Sequence, residues 1–389
     1  MSRIERDLYP GHSHDDRCVC ASCFEDEDLQ RFIRRSAKQH KCSFCGSRAK
    51  SAPLEDVAAF IEDRMEEFYG KAVEQLPYES REGGYQGGWH TDTDDLLFGK
   101  IGLDLPRDND GKLNQALLDE IGDDDWCDYD WLTLDLDHSL KSGWQDFCTK
   151  VKHTRRFFFH RLGGEDSGHP DDRSFFTLLS DIAKLIDDLD LIKNIRPQYS
   201  LYRARPRDSA NAKYKTAKEL GPPPEEFATQ TNRMNPPGIP MFYGAETAAL
   251  AEAEISDPLF SLGRFKTNRT IRILDLAALP KVPGFFSTAS QRERLGLSFL
   301  REFSKLISEP VRRDNRTHVD YIPTQVYTEF LRDFKFKEGA IDGIRYNSAT
   351  GVVGANVVLF ATNDNVQDKN DLPDPSLWLC LVSVKHSHA

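Results

Sequence analysis

Apolar residues recur at helical spacing in PLEDVAAFIEDRMEEFYGKAVEQL, where Leu54, Val57, Phe60, Ile61, Met65, Phe68 and Tyr69 fall on one stripe. A 3.6-residue period gathers them on one face, so the run predicts a long amphipathic helix packed against a core. A second stripe, Leu140, Trp144, Phe147 and Val151, predicts a helix from Ser139 to Arg156. A third, built on Leu178, Leu179, Ile182, Leu185, Ile186 and Leu189, predicts one from Ser174 to Ile195. The Gly- and Asp-rich stretches Glu79 to Asp110 and Asp123 to Asp137 read as surface connections, the latter with Trp126 and Trp131 as aromatic anchors. GGEDSGHPDD, just after His160, reads as a linker.

Beyond Ile195 the pattern changes to short apolar strands: SLYRAR, IPMFYGA, TIRILDL, DGIRYNS, NVVLFA and LWLCLVSV. Helices are predicted among them over Thr247 to Ile255, Gln291 to Ile307 and Thr324 to Phe334. Strands separated by helices of uneven length, with consecutive strands near the end, predict a mixed sheet in an α+β domain. No G-x-G-x-x-G or Walker A sequence follows any of these strands, so a bound nucleotide must be held by other means.

A chain of 389 residues exceeds what one core usually organises, which predicts two or three units. The texture divides them as a zinc knuckle over 1–50, a mainly helical domain over 51–172 and an α+β domain over 173–389. The net charge of −12 repels polyanions and no basic patch offsets it, which argues against sequence-specific nucleic-acid binding. MSRIERDLYPGHSHDDR has no apolar core of signal-peptide length, and no long apolar run suits a membrane span, so a cytoplasmic protein is expected.

Five of the eight cysteines lie between Cys18 and Cys45. Cys20 with Cys23, and Cys42 with Cys45, form two C-x2-C knuckles that bring four thiolates to one tetrahedral site, the pattern of a structural Zn²⁺. Cys18 and His40 stand nearby as alternative ligands. Thiols used this way fit a reducing cytoplasm better than a disulfide framework.

Three segments set polar residues at the ends of apolar strands: LYRAR, RMNPPGIPMFYGAETAALAEAE and DGIRYNSATGVVGANVVLF. From about Pro197 to Thr362 they resemble the RES-domain family, named for its Arg, Glu and Ser. The likeness consists of a Tyr-Arg strand, an Arg-x-Asn-x-x-Gly-x-Pro turn into a Tyr-bearing strand, a Glu eleven residues past that Tyr, and Gly-Ile-x-Tyr-x-Ser followed by Asn. It implies a fold resembling ADP-ribosyltransferases and cleavage of the nicotinamide–ribose bond of NAD, with water, phosphate or a protein side chain as acceptor. It also implies a toxin or antiviral effector that depletes NAD, with an antitoxin or other protein regulator as partner and room for a homo-oligomer. Carried over by position, Arg203, Glu254 and Ser348 are the catalytic residues, and Arg233, Asn235, Tyr243 and Asn356 accompany them as cofactor-binding positions. Thr231-Asn232-Arg233-Met234-Asn235 stands where many members have Gly-Gly-Arg-Trp-Asn.

The chemistry of these side chains agrees with such roles. Breaking the glycosidic bond of NAD develops oxocarbenium character on the ribose, and a carboxylate such as Glu254 stabilises it. The fork of Arg203 suits a pyrophosphate bidentately, Tyr243 offers a ring to nicotinamide, and Ser348 and Asn356 offer hydrogen bonds. The N-terminal half resembles the HEPN/RES N-terminal domain through its knuckles and SGWQDF…VKHTRRFFFH. HEPN ribonucleases use Arg-x4-6-His, a spacing met by Arg155 and His160, but the run Phe157, Phe158, Phe159 between them reads as core packing.

Overall fold

A computed structural model of the chain describes residues 16–38, 41–129, 133–157, 174–255, 257–309, 317–372 and 374–387. By packing it divides into two units, one from residues up to Leu134 with Val282–Arg294, the other from Asp135–Lys281 with Leu295 onward.

In the first unit the stripe of Leu54, Val57, Ile61 and Met65 is buried, as its spacing predicts, on a helix Leu54–Phe68. The helix is shorter than its pattern. Tyr69–Lys71 leaves it as a strand paired with Asp125–Asp128, and a Cβ on Gly70 would stand 2.7 Å from the Gln75 side chain and 3.0 Å from the Tyr129 ring, so glycine leaves room for both side chains. The acidic stretch around Trp126 is likewise not a bare surface connection. Trp126 is fully buried and donates its indole N–H to Thr93 Oγ1 at 3.0 Å. Cys20, Cys23 and Cys42 share one core with Leu29, Ile33, Ile61, Met65 and Trp126, so the knuckles and the helix fold as one body.

The second unit is built on a nine-stranded sheet. Its strands are β1 (Ile192–Ile195), β2 (Ser200–Pro206), β3 (Phe242–Ala245), β4 (Phe260–Thr267), β5 (Ile271–Asp275), β6 (Gly343–Asn347), β7 (Ala355–Leu359), β8 (Val366–Asp368) and β9 (Leu379–His386). Across the sheet the order is β8-β9-β4-β2-β3-β7-β6-β5-β1. Pairing is parallel where β5 meets β6 and β8 meets β9, and antiparallel elsewhere. This is the mixed sheet expected of the α+β pattern. The stripe from Leu178 to Leu189 ends earlier than predicted, because Asp190 turns through φ 50° and Ile192 starts the edge strand β1.

Among the helices packed with the sheet are α1 (Leu136–His153), α2 (Phe175–Asp188), α3 (Ala248–Ala253), α4 (Gln291–Ser308, in this unit from Leu295) and α5 (Ile322–Asp333). Trp144 of α1, Phe303 of α4 and Tyr327 of α5 meet edge to face, with centroids 4.8 to 5.8 Å apart, over Leu274, Ile344 and Val358 of the sheet. The opposite face buries Leu201, Phe242, Phe265, Val357 and Leu359 with the short helix Ala217–Leu220.

Gly343 shows how tightly the central strands meet. A Cβ there would lie 2.1 Å from the Val358 carbonyl oxygen, so Gly343→Ala is expected to lose about 1–3 kcal/mol of stability in urea unfolding. A variant as stable as the parent would refute the register of β6 on β7.

Candidate active site and metal centre

Strands β2 and β3 are neighbours that part almost at once. They share one paired position, Ala245 with Tyr202, and a cavity of about 720 Å³ opens where they diverge, bounded by Tyr202 to Pro206 and by Tyr243 to Ala245. That size suits a small-molecule ligand, for which about 300–1,000 Å³ is usual. The parting leaves the Tyr243 carbonyl without a main-chain donor from β2, and Arg203 Nη1 donates to it at 3.0 Å instead. Alternation sends Tyr202 and Ala204 to the face of Ala245, Leu250 and Leu262, and sends Leu201, Arg203 and Arg205 to the face of Phe242 and Phe265. The cavity therefore receives side chains from both faces of the sheet.

Glu254 enters it at the end of α3. Thr247 starts that helix by accepting from Leu250 N–H, and the small residues Ala248 and Ala251 let it lie close to the strands. Glu254 Oε1 accepts hydrogen bonds from Ser348 Oγ and Asn356 Nδ2, each at 2.6 Å. Asn356 faces Tyr346 across β6 and β7, and both line the cavity, whereas Ser348 reaches the site through Glu254. Ser348 is itself braced by Thr350, whose N–H donates to its Oγ at 3.1 Å.

The remaining sequence-predicted residues divide. Tyr243 lines the cavity, while its hydroxyl donates to Asn235 Oδ1 at 2.5 Å and accepts from Met234 N–H at 3.1 Å. Asn235 spends its Nδ2 on the Ile239 carbonyl at 2.7 Å, so its amide holds Tyr243 and the turn. Arg233 is directed elsewhere, donating to the Ile307 carbonyl at 2.6 Å and lying over the Tyr321 ring. Arg203 lines the cavity, and its buried Nε–H has no acceptor among the described residues. Burial, then the charge of Arg205, hold its guanidinium down at about 10. Arg155 is exposed just past α1, and His40, Trp131, Phe158, Phe159 and His160 lie outside the described residues.

The family model of the RES domain matches residues 200–380, a span that contains every one of these cavity groups. Residues 200–380 are a RES domain. The model of HEPN/RES N-terminal domain 1 matches residues 35–164, ahead of it. No curated protein and no solved structure matches the chain. The N-terminal match includes Cys42 and Cys45 but starts after Cys20 and Cys23, and it includes α1, whose apolar face packs in the second unit. Met234, where many RES sequences carry Trp, is buried in the helix-side core.

The RES domain braces its site with residues that sequence reading passed over. Glu246, between β3 and α3, accepts from Arg345 Nε at 2.8 Å and Nη2 at 3.1 Å, from Ala355 N–H at 3.1 Å, and from the Tyr199 hydroxyl. Arg345 Nη1 also donates to Asp275 at 2.8 Å. This network ties the entry of α3 to β5, β6 and β7, the last two of which lead to Ser348 and Asn356. Gln325 and Thr324 of α5 pin the 231–235 turn in the same way, through the carbonyls of Asn232, Asn235 and Arg233. A lone Glu in YGAET and an Arg inside an apolar strand carry no spacing signal, so only packing reveals them.

In the first unit the Cys20, Cys23, Cys42 and Cys45 sulfurs lie within 4.8 Å of one another, with three separations of 3.6 to 3.8 Å. Such distances are far longer than a disulfide, yet match the edge of about 3.8 Å that a tetrahedron of Zn–S bonds near 2.3 Å requires. Cys18 stays outside the group. Burial and the neighbouring thiols push Cys23 far up. Burial also opposes the Cys45 thiolate, but the Ser47 N–H and adjacent thiols outweigh it and hold that thiol down at about 7. A divalent cation relieves this crowding by taking all four as thiolates. The residues thus fit a structural Zn²⁺, and Gly46, at φ 68°, forms the left-handed turn of the second knuckle.

Two outcomes are expected. Protein purified without chelator should carry about one zinc per chain by elemental analysis, and Cys20→Ser with Cys42→Ser should lose it along with exchange protection of helix Leu54–Phe68; a metal-free chain that keeps this protection would refute the site. For Glu246, burial opposes the charge, but the hydrogen bonds of Arg345 and Tyr199 prevail and hold the carboxyl below its usual value. A depressed acid stabilises the fold above its unfolded pKa and loses that contribution as pH falls through the folded value. Glu246→Gln should therefore cost about 1–3 kcal/mol at pH 7 and progressively less in acid. An equal cost at pH 3 and pH 7, read from urea midpoints, would refute the assignment.

Proposed function

We propose that this chain cleaves the nicotinamide–ribose bond of NAD, as a glycohydrolase or a phosphorylase, with ADP-ribosyl transfer to protein as the alternative outcome of the same bond cleavage. The observation that carries this reading is a carboxylate, Glu254, held by Ser348 and Asn356 at the wall of a cavity that also receives Arg203, all within a RES domain. As the glycosidic bond lengthens, positive charge grows on the ribose, and Glu254 stabilises it electrostatically. Ser348 and Asn356 fix the carboxylate so that little reorganisation is needed in the transition state. Arg203 meets the anionic part of the dinucleotide, where its unsatisfied Nε–H finds an acceptor. Tyr243, its hydroxyl already engaged, lines the same cavity and is the aromatic group assigned to the nicotinamide in this reading.

In a cell such an activity lowers NAD, the output of a toxin or antiviral effector, and a protein regulator would have to restrain it. No helix among the described residues is long and apolar enough to cross a membrane. Incubation of purified protein with NAD, with and without phosphate, followed by mass analysis distinguishes ADP-ribose, its phosphorylated counterpart and modified protein. Unchanged NAD under all conditions would overturn the reading.

If Glu254 acts on a charge that exists only in the transition state, Glu254→Gln should lower kcat about 10²–10⁴-fold with KM little changed. Glu252, exposed two residues back, is the control, and Glu252→Gln should be nearly silent. Full activity in Glu254→Gln would remove this residue from the mechanism.

A further inference from the structure

Arg205 lies two positions past Arg203 on β2, on the same face of the strand and on the wall of the same cavity, and the chemistry above leaves it without a role. Its Nη1 donates to the Glu219 carbonyl, and its guanidinium stacks 4.5 Å from the Tyr214 ring centroid. These contacts hold the group in place, and the Glu219 carboxylate feels its charge without forming an ion pair with it. The Glu219 carboxylate is engaged by the N–H groups of Lys215 and Thr216. Neither Arg203 nor Arg205 has a carboxylate within ion-pair distance among the described residues, whereas Arg345 has two. Two adjacent cations, one with an orphaned buried N–H, thus open on one cavity in a chain of net charge −12. Like charges brought together out of water are costly unless an anion joins them.

We propose that Arg203 and Arg205 form a two-fork clamp for the diphosphate of a dinucleotide, so that the site selects NAD over a mononucleotide bearing the same nicotinamide ribose. The inference rests on the cavity being an NAD site. A diphosphate offers an anionic group to each guanidinium, while the single phosphate of nicotinamide mononucleotide fully occupies only one. Arg205 is thereby a specificity-determining residue, remote from the bond that breaks.

The test compares nicotinamide release from NAD and from nicotinamide mononucleotide by the parent, Arg205→Gln and Arg205→Lys. Gln keeps a donor toward the Glu219 carbonyl while removing the charge, and Lys keeps the charge without the fork. Arg205→Gln should lower kcat/KM for NAD about 10- to 100-fold and leave the mononucleotide much less affected, and Arg205→Lys should recover part of the preference. A loss shared equally by both substrates marks a structural residue and overturns the clamp, as does no loss at all. If the parent releases nicotinamide from neither substrate, the NAD reading has failed, and calorimetry with inorganic pyrophosphate judges the clamp alone. Binding at least about tenfold tighter to the parent than to Arg205→Gln supports it, and equal affinity or no binding overturns it.

Discussion

A sheet that opens between two of its strands must satisfy the backbone groups it exposes, and the RES domain depends on how this is done. β2 stays paired along its other edge with β4, from Pro206 opposite Phe260 to Ser200 opposite Lys266. β3 stays paired along its other edge with β7. Each flank is therefore rigid by itself, and the gap between them persists as a cavity. The guanidinium of Arg203 stands in for a missing strand at the Tyr243 carbonyl. One side chain thus links the opening of the sheet to the charge inside it.

Converging elements then bring the acid to that opening. α3 delivers Glu254, and the ends of β6 and β7 deliver Ser348 and Asn356 to the same oxygen. Their relative heights depend on the Glu246–Arg345 pair, whose members precede Glu254 by eight residues and Ser348 by three. Precision at the carboxylate is inherited from an ion pair that never lines the cavity. In the first unit the cysteines do something different, since they sit in an apolar core with Ile33 and Met65 and the metal they suit would add to hydrophobic burial rather than replace it.

Much of this was legible in the residues. The apolar strands around LYRAR, FYGA, GIRYN and NVVL stood out because polar residues break off sharply at their ends, and the paired knuckles announced themselves by spacing. The strand β4 did not, because Gly263, Arg264 and Lys266 interrupt its apolar alternation, and it is buried by two neighbours rather than by its own pattern. Helix ends were misjudged where tertiary pairing captured the chain, at Tyr69 and at Ile192, since periodicity cannot register a waiting strand partner. Arg233 and Asn235 are binding positions by the resemblance; Arg233 donates to the Ile307 carbonyl, while Asn235 lies on the cavity wall and accepts from the Tyr243 hydroxyl. Arg205, the alternate residue beyond Arg203, shares the cavity by strand geometry alone.

The pairing of β4 also bears on when the cavity can exist. Phe265 is matched on one side by Leu201 and on the other by Leu381, so the strand that steadies β2 is complete only after a segment far downstream has joined it. Contacts of such long sequence separation form slowly and late, after the local helices are in place. Along the chain the arginines of β2 precede both β4 and the segment that completes it. A pocket whose walls rest on pairings of such long sequence separation is therefore among the later parts of the sheet to become stable.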